Sequence, residues 1–307
     1  MAHPARPDPG RPESGCPQSG CPESGRLDRA RRFYAALVAG AGGARDPRIE
    51  AAFAAVPRED FAGPGPWSVM AGGDYVTTPD DDPVWLQADV LVALDAARGI
   101  NNGEPSLHAR CLDALDLQPG ESVLHVGAGG GYYTAILAWL VGGTGRVDAY
   151  EIDPMLAARA TRNLAGLAQV RVHAADGTAG ALPEADAVYV NASATHPAPA
   201  WLDALRPGGR LLFPLTPTEM PGGMLLVTRR PHGFDAGFIS RAGFIPCQGM
   251  QDGDNSAGLA RAFAAGKFQK VRSLRVGTAP DRTSWFAGKG WWLSTAPLAG
   301  TDGHGAA

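Results

Sequence analysis

The run ESVLHVGAGGGYYTAILA, residues 121–138, decides the fold of this chain. Within it, Val123, Leu124 and Val126 form a short β-branched and apolar run, which is typical of a strand that is covered on both faces. Gly127, Gly129 and Gly131 then remove the side chains at alternate positions of a turn, so that the backbone can approach a ligand closely. The residues after the turn resume helical spacing, and the free N–H groups of that helix start favour an anionic group. The pattern therefore predicts a strand, a turn and a helix around a ligand.

The glycine spacing bears on which ligand this is, because such turns serve both dinucleotides and S-adenosylmethionine. The dinucleotide fingerprint G-x-G-x-x-G requires a third glycine where this chain has Tyr132. About twenty residues beyond the turn, a second predicted strand ends in Glu151, from which a carboxylate can accept both hydroxyls of a ribose. That distance is common to both cofactor classes, so the acid alone does not separate them.

Three more predicted strands continue the alternation of strands and helices. Val170–Ala174 is followed by Asp176 and Gly177, and residues 187–190 end at Asn191. A short helix, a Pro-Gly-Gly turn and a fifth strand come next. All these polar residues follow strands, at the edge where open α/β sheets bind their ligands.

This ordered set resembles the class I S-adenosylmethionine-dependent methyltransferases. The resemblance implies an α/β fold with a Rossmann-like, mostly parallel sheet that has one antiparallel strand, an N-terminal helical cap and a C-terminal extension. It also implies S-adenosylmethionine as the cofactor, with Glu151 on the ribose and Asp176 on the adenine amino group. The cofactor-binding residues that we predict are His125, Gly127, Gly129, Gly131, Tyr132, Tyr133, Glu151, Asp176, Gly177 and Asn191.

Composition limits the partners. The 307 residues carry a formal net charge of −4 and a pI near 6.0, which gives no general attraction to nucleic acid or to an anionic membrane. No apolar run reaches the ~18 residues of a membrane span, and the four cysteines show no metal-binding spacing. We therefore expect a cytoplasmic protein with no metal site and no membrane or nucleic-acid partner.

The chain divides into four predicted parts. Residues 1–27 are rich in Pro, Gly and Ser and are predicted to be disordered, because they cannot bury enough apolar surface to offset their ordering entropy. Residues 28–104 form a helical cap and substrate segment, residues 105–232 the cofactor domain, and residues 233–307 a C-terminal extension. The extension has three tryptophans and no predicted chemistry.

The sequence of the predicted cap makes the resemblance more specific, because it points to one family of methyltransferases. Two helical patterns are followed by Val-Pro-Arg-Glu-Asp-Phe at residues 56–61, an arrangement that closely resembles the protein-L-isoaspartate O-methyltransferases. Two amphipathic helices alone would be unremarkable, so this six-residue run carries the comparison.

The turn before Pro105 departs from that family. The family has a substrate-contacting Ile-Ser-x-Pro segment here, and alignment on Pro105 and Ala109 puts its serine at Gly103, followed by Glu104. The acceptor-side and catalytic candidates that the resemblance implies are Asn101, Asn102, Glu104, Ser106, His108 and Asn191.

The leading hypothesis is carboxyl methylation of an isoaspartyl-type or modified peptide. A carboxylate is already deprotonated at neutral pH and needs no general base, whereas an amine or hydroxyl acceptor would require His108, Glu104 or His196 as a base. Because the serine is missing and Glu104 repels anions, we expect weak activity on ordinary isoaspartyl peptides and a dedicated acceptor. The alternatives are a small-molecule O- or N-methyltransferase, and a non-catalytic or NAD-binding module.

Overall fold

The computed structural model describes residues 23–71 and 73–298. The α-helices in these ranges are α1 (Glu23–Gly42), α2 (Pro47–Ala55), α3 (Glu59–Ala62), α4 (Pro105–Leu115), α5 (Tyr132–Val141), α6 (Pro154–Asn163), α7 (Pro199–Ala204) and α8 (Gly253–Ala264). The strands are β1 (Ser68–Ala71), β2 (Asp74–Thr77), β3 (Ala93–Asp95), β4 (Ile100–Asn101), β5 (Ser122–Val126), β6 (Arg146–Glu151), β7 (Val170–Ala174), β8 (Ala185–Val190), β9 (Leu205–Leu215), β10 (Gly222–Arg230), β11 (Gly233–Ala242), β12 (Ser273–Val276), β13 (Ser284–Gly288) and β14 (Trp291–Ser294).

One large sheet organises the chain, in the order β13-β14-β12-β11-β10-β9-β8-β5-β6-β7. The strands from β9 to β7 pair in parallel, with β5 and β8 adjacent at the centre. The α/β class and the Rossmann-like arrangement are thus as predicted, and the Pro-Gly-Gly turn lies inside the long strand β9. Since the carboxyl ends of β5, β6, β7 and β8 share one edge, the polar residues that follow them share it too.

The other half of the sheet is antiparallel. Pairing is antiparallel from β9 to β10, and again at each of the next four pairings out to β13. The prediction of one antiparallel strand is therefore wrong in number. The C-terminal residues add further antiparallel strands to the same sheet instead of packing elsewhere. Helix α8, which the sequence analysis did not predict, lies in this extension.

The core has two layers, one on each face of the sheet. Alternate residues of β5 enter different layers: Val123 packs with α1, α2, α4 and α5, whereas Leu124 packs with α7 and α8. Trp201 on α7 is fully buried, and its indole Nε1 donates to the carbonyl of Gly177 at 2.7 Å. A strand buried on both faces follows from its continuous apolar sequence.

Two helices on the cofactor side begin with the same local device. Asp46 caps α2 by accepting from the N–H of Arg48, and Asp153 caps α6 by accepting from two N–H groups of its first turn. A proline follows each cap at the first helical position, where the missing N–H costs no hydrogen bond.

The first helix starts earlier than predicted. Helix α1 begins at Glu23, so the last five residues of the predicted leader are helical. Arg26 forms an ion pair with Asp82, and Arg31 forms one with Glu59. Residues 1–22, to which the rest of the disorder prediction applies, lie outside the described residues. No helix in the described ranges is long and apolar enough to cross a membrane.

Candidate functional site

The glycine turn after β5 takes the backbone form that the sequence predicts. Gly127, Gly129 and Gly131 have φ values of 80°, 55° and 95°, in the left-handed region that strongly favours glycine. A Cβ at Gly129 would lie 3.0 Å from Leu94 Cδ1, and one at Gly131 would lie 2.8 Å from Leu164 Cδ1. The turn is therefore closely covered by neighbouring elements and leaves its free surface to a ligand.

The N–H groups of this turn are used inside the fold. Those of Gly127 and Ala128 donate to the carbonyl of Tyr150, and that of Gly129 donates to Glu151 Oε2 at 2.7 Å. The N–H groups of Gly127, Ala128 and Gly129 are therefore not available to a ligand, and the sequence-based expectation of free donors applies to the start of α5.

Glu151 and Asp176 lie together on a cavity of about 160 Å³. Glu151 is buried and also accepts from the N–H of Asp153 at 3.0 Å, so its carboxylate joins the glycine turn to the start of α6. Asp176 Oδ1 accepts from the N–H and hydroxyl of Thr178. Cys247 lines the same cavity, and burial raises the pKa of its thiol to about 12. The cavity thus offers the carboxylates of Glu151 and Asp176, that of Asp153, which is ion-paired with Arg98, and a neutral thiol.

The packing around position 177 explains why this residue is a glycine. A Cβ at this position would lie 2.8 Å from Tyr150 Cβ and 3.1 Å from the side chain of Val126. The missing side chain therefore allows the loop after β7 to pack on β5 and β6.

A second, larger cavity of about 760 Å³ meets the first. The residues that line both are Asn101, Gly127, Gly129, Asn191 and Ile245. The larger cavity continues past Glu104 and His108 to the loop 216–221 and the end of β11. A group bound by the glycine turn therefore faces a separate space that is large enough for a second substrate.

The turn before α4 forms one wall of the larger cavity, but its amides are mostly committed. Asn101 Oδ1 accepts from the N–H of Gly103 at 2.9 Å, and Asn102 Oδ1 accepts from the N–H of Val92 at 2.9 Å. Ser106 is not among the cavity-lining residues, and its N–H donates to Asp89 Oδ1. The asparagines thus shape the turn, and Ser106 stands apart from the other predicted acceptor-side residues.

Glu104 lines the larger cavity and is exposed. Its carboxylate makes no hydrogen bond or ion pair with the residues that the structure describes, and it does not cap α4. Partial burial, followed by the nearby Asp89, raises the pKa of Glu104 above its usual value. An anionic acceptor would meet this carboxylate directly.

His108 is buried at the floor of the larger cavity. Its Nδ1 lies 2.6 Å from the hydroxyl of Tyr189, and its ring stacks on Tyr133 with centroids 3.5 Å apart. Burial, followed by the charges of His125 and Arg58, holds the pKa of His108 well below its usual value. The imidazole is therefore neutral and fixed in orientation.

His125 and Asn191 form a second buried pair, beside the glycine turn. His125 Nε2 lies 2.8 Å from Asn191 Nδ2, and His125 Nδ1 lies 2.8 Å from the hydroxyl of Thr134. Burial lowers the pKa of His125 to about 3. Neither histidine at this site is a strong base.

Tyr132 and Tyr133 start α5 and are both buried. The hydroxyl of Tyr132 lies 3.3 Å from that of Tyr34 in α1, which joins the cap to the cofactor domain. The hydroxyl of Tyr133 has no hydrogen-bond partner among the described residues, although it is buried at the larger cavity. Tyr133 thus lines the larger cavity and not the smaller one that holds Glu151 and Asp176.

Three contributors were missed by the sequence analysis. Arg58 of the Val-Pro-Arg-Glu-Asp-Phe run is buried and donates to the carbonyls of Leu86, Ala88 and Val90, so it folds the segment that leads to the acceptor turn. Arg241 lines the larger cavity and donates to the carbonyl of Pro221. The loop 216–221 is the third, and its two prolines indicated only a turn.

His196 lies apart from this site. It lines a separate cavity of about 400 Å³ between α7, α8 and the β13–β14 hairpin. Burial lowers the pKa of its imidazole. The structure does not bring it to the glycine turn, so it is not a base for this site.

These residues fit the predicted cofactor. Gly127 and Gly129 line both cavities, the buried Glu151 lines the smaller one, and Asn191 Oδ1 is a buried acceptor without a partner among the described residues. S-Adenosylmethionine supplies groups for each: ribose hydroxyls, an adenine amine and a cationic tail.

Comparisons with known proteins agree with this geometry. The family profile described as "Protein-L-isoaspartate(D-aspartate) O-methyltransferase (PCMT)" matches residues 38–246. A protein-L-isoaspartate O-methyltransferase of Methanopyrus kandleri is 32% identical over 217 residues, which are 67% of this chain and 88% of the relative. The enzyme of the same name from Methylorubrum populi is 35% identical over 225 residues, or 71% and 93% of the two chains.

Solved structures show the same fold. A protein-L-isoaspartate O-methyltransferase superposes with a TM-score of 0.54 at 21% identity and covers 80% of this chain and 72% of its own. A putative enzyme of this name from Plasmodium falciparum, in complex with S-adenosyl-L-homocysteine, gives a TM-score of 0.55 at 18% identity and covers 71% and 98%.

Proposed function

The chain belongs to the protein-L-isoaspartate(D-aspartate) O-methyltransferase family, and we propose that it methylates a carboxylate of an isoaspartyl-type or modified peptide. Family membership confirms the predicted S-adenosylmethionine-dependent methyltransferase and its cofactor. A peptide or protein acceptor fits this family. The finer choice of acceptor is the proposal.

The observation that carries the proposal is the junction of the two cavities at Gly127, Gly129 and Asn191. S-Adenosylmethionine, when bound, would supply an electrophilic methyl group for an in-line displacement at the methyl carbon, in which S-adenosylhomocysteine is the leaving group. The protein then has to hold the acceptor oxygen close to that methyl group and keep water away, and positioning alone can lower the barrier by several kcal/mol. A cavity of about 760 Å³ beside the glycine turn suits a peptide side chain with part of its backbone.

The acid–base properties of the site favour a carboxylate acceptor. The pKa of His125 is about 3 and that of His108 is well below its usual value, both because of burial. A group that remains unprotonated at such low pH is a poor base for an amine or hydroxyl acceptor. A carboxylate needs no proton removed, so this site can act on it directly.

His108 is the proposed donor to the acceptor. The Tyr189 hydroxyl lies 2.6 Å from Nδ1 and also contacts Cys111, and the proposal places the hydroxyl proton toward Nδ1 and the proton of the neutral ring on Nε2. Nε2 faces the backbone of Gly103, on the wall where the family has its serine. An Nε2–H donor can hold one carboxylate oxygen while the other accepts the methyl group.

The test is methyl ester formation with labelled S-adenosylmethionine. Its substrates are an isoaspartyl peptide and the same peptide with a normal aspartate. We expect label only in the isoaspartyl peptide, at a low rate, and a loss of about tenfold or more with His108→Leu. His196→Leu, in the separate cavity, is the control and keeps the wild-type rate. Equal labelling of both peptides, or full activity of His108→Leu, would contradict the proposal.

A further inference from the structure

Asn191 sits where the two cavities meet, at the end of β8. It lines both, and its Oδ1 is buried with no hydrogen-bond partner among the residues that the structure describes. Leaving a buried amide oxygen unpaired destabilises the folded protein. A native protein retains such a cost where a ligand supplies the partner.

The amide of Asn191 belongs to a buried chain of polar groups. Asn191 Nδ2 donates to His125 Nε2 at 2.8 Å, and in this arrangement the neutral ring has its proton on Nδ1, 2.8 Å from the Thr134 hydroxyl. The imidazole also stacks on Tyr189, with centroids 5.7 Å apart and an angle of 13° between the planes. The amide nitrogen is thus used by His125, and Oδ1 is the atom left without a partner among the described residues.

The missing partner is not one of the nearby protein cations. Two arginines line these cavities. Arg98 is ion-paired with Asp95 and Asp153, and Arg241 donates to the carbonyl of Pro221. An acceptor oxygen that faces neither is left for a ligand, either for a hydrogen-bond donor or for a positively charged group.

We propose that Asn191 Oδ1 contacts the sulfonium centre of the cofactor, with His125 and Thr134 as the residues that position it. This inference rests on the cofactor assignment. Glu151 and Asp176 mark the adenosine side in the smaller cavity, and the acceptor lies in the larger one. The methyl-bearing atom has to lie between them, which is where Asn191 stands. An amide oxygen there attracts the positive charge and polarised C–H groups of the methyl donor.

The inference makes a prediction that needs no acceptor. S-Adenosylmethionine and S-adenosylhomocysteine differ by one methyl group and its positive charge, so the ratio of their affinities reports a contact with the sulfonium. By calorimetry, Asn191→Leu should reduce this ratio by about three- to tenfold in favour of S-adenosylhomocysteine. Asp176→Asn, on the adenosine side, is the matched control and should leave the ratio unchanged.

Two more variants separate positioning from general damage. His125→Phe keeps an aromatic ring against Tyr189 but loses the acceptor for Asn191 Nδ2, and it should shift the ratio in the same direction as Asn191→Leu. Asn191→Asp places a negative charge at the position and should shift the ratio toward S-adenosylmethionine. S-Adenosylhomocysteine binding is measured on each variant, so a variant that does not fold is recognised because it no longer binds this ligand. If Asn191→Leu does not fold, the affinity ratio of Asn191→Asp tests the inference.

Two patterns of ligand affinity would contradict the inference. An unchanged ratio in Asn191→Leu and Asn191→Asp would overturn the inference. The inference would also be overturned if the affinities for S-adenosylmethionine and S-adenosylhomocysteine fell equally while the affinity for 5′-methylthioadenosine was unchanged. That pattern would place Oδ1 against the amino-acid end of the cofactor. Failure of the isoaspartyl peptide assay alone would count against the proposed acceptor and leave this ratio test intact.

Discussion

The imidazole of His108 occupies the space that a side chain at position 103 would take. A Cβ built on Gly103 overlaps His108 Nε2, and Gly103 has a φ of 76°, in the left-handed region. The missing family serine and the buried histidine are therefore coupled features of one wall. Restoring serine at position 103 alone would clash with the ring and would not recreate the site of the relatives.

Gly103→Ala should lower the free energy of unfolding by about 2–4 kcal/mol, from backbone strain plus the clash with His108. Gly99→Ala is the control, since Gly99 has a φ of 67° and nothing lies within 4 Å of its Cβ. It should cost only the strain, about 1 kcal/mol. Urea denaturation measures both, and equal losses would contradict the coupling.

Glu104→Gln should improve methylation of an anionic isoaspartyl peptide and flatten its pH dependence. The pKa of Glu104 is raised, so the wild-type carboxylate is neutral at low pH and becomes charged as pH rises through that pKa. The KM for an anionic peptide should rise over the same range because of repulsion. Initial rates between pH 4.5 and 8 measure this, with Glu50→Gln on α2 as the control. A variant with the wild-type pH profile would show that Glu104 does not face the acceptor.

The two buried histidines should make the protein acid-sensitive. Their pKa values are lowered in the folded state, so below pH ~6.5 the unfolded chain binds protons that the folded chain does not. Stability is thus full above that pH and falls as pH decreases, by about 1.4 kcal/mol per unit for each histidine. Urea titrations at pH 7, 6 and 5 measure this slope. His125→Phe should reduce this slope by the contribution of about one bound proton. The surface variant His232→Gln is the control and should keep the wild-type slope. An unchanged slope in His125→Phe would refute the assignment.

Glu151→Ala should weaken S-adenosylhomocysteine binding by roughly 1.5–3 kcal/mol, the range for hydrogen bonds to a charged group. Part of this loss comes from the glycine turn, because Glu151 also accepts from the N–H of Gly129. Calorimetry measures it, with the exposed Glu184→Ala as the control. Tight NAD binding without a response to S-adenosylhomocysteine would overturn the cofactor site.

Removal of residues 1–22 should leave the melting temperature and cofactor affinity unchanged, because their composition gives them little to pack. Removal of residues 1–31 should lower the melting temperature by several degrees, since it deletes the start of α1 and the ion pairs of Arg26 and Arg31. Thermal unfolding of both truncations tests this. A loss on the shorter deletion would show that the leader packs on the fold.

The grouping of the glycine turn, Glu151 and Asp176, the proposed cofactor side of the site, could be predicted because its signals are local. The left-handed glycines, the strand before them and the acid after the next strand are close in sequence, and parallel strands bring their carboxyl ends to one edge whatever the rest of the chain does. Glu151 and Asp176 accordingly lie on one cavity. The α/β class follows from the same alternation of strands and helices.

The acceptor half depended on tertiary packing. His108 is neutral and oriented because Tyr133 and Tyr189, from α5 and β8, surround it, and no spacing in α4 indicates this. Residues of the C-terminal extension complete the opposite wall: Ser256 Oγ accepts from the N–H of Thr218, and Arg241 lies over Phe263. Burial and charge at a site are sums over all neighbours, so only the assembled fold decided which polar residues face the acceptor and which, like Asn102, hold the turn.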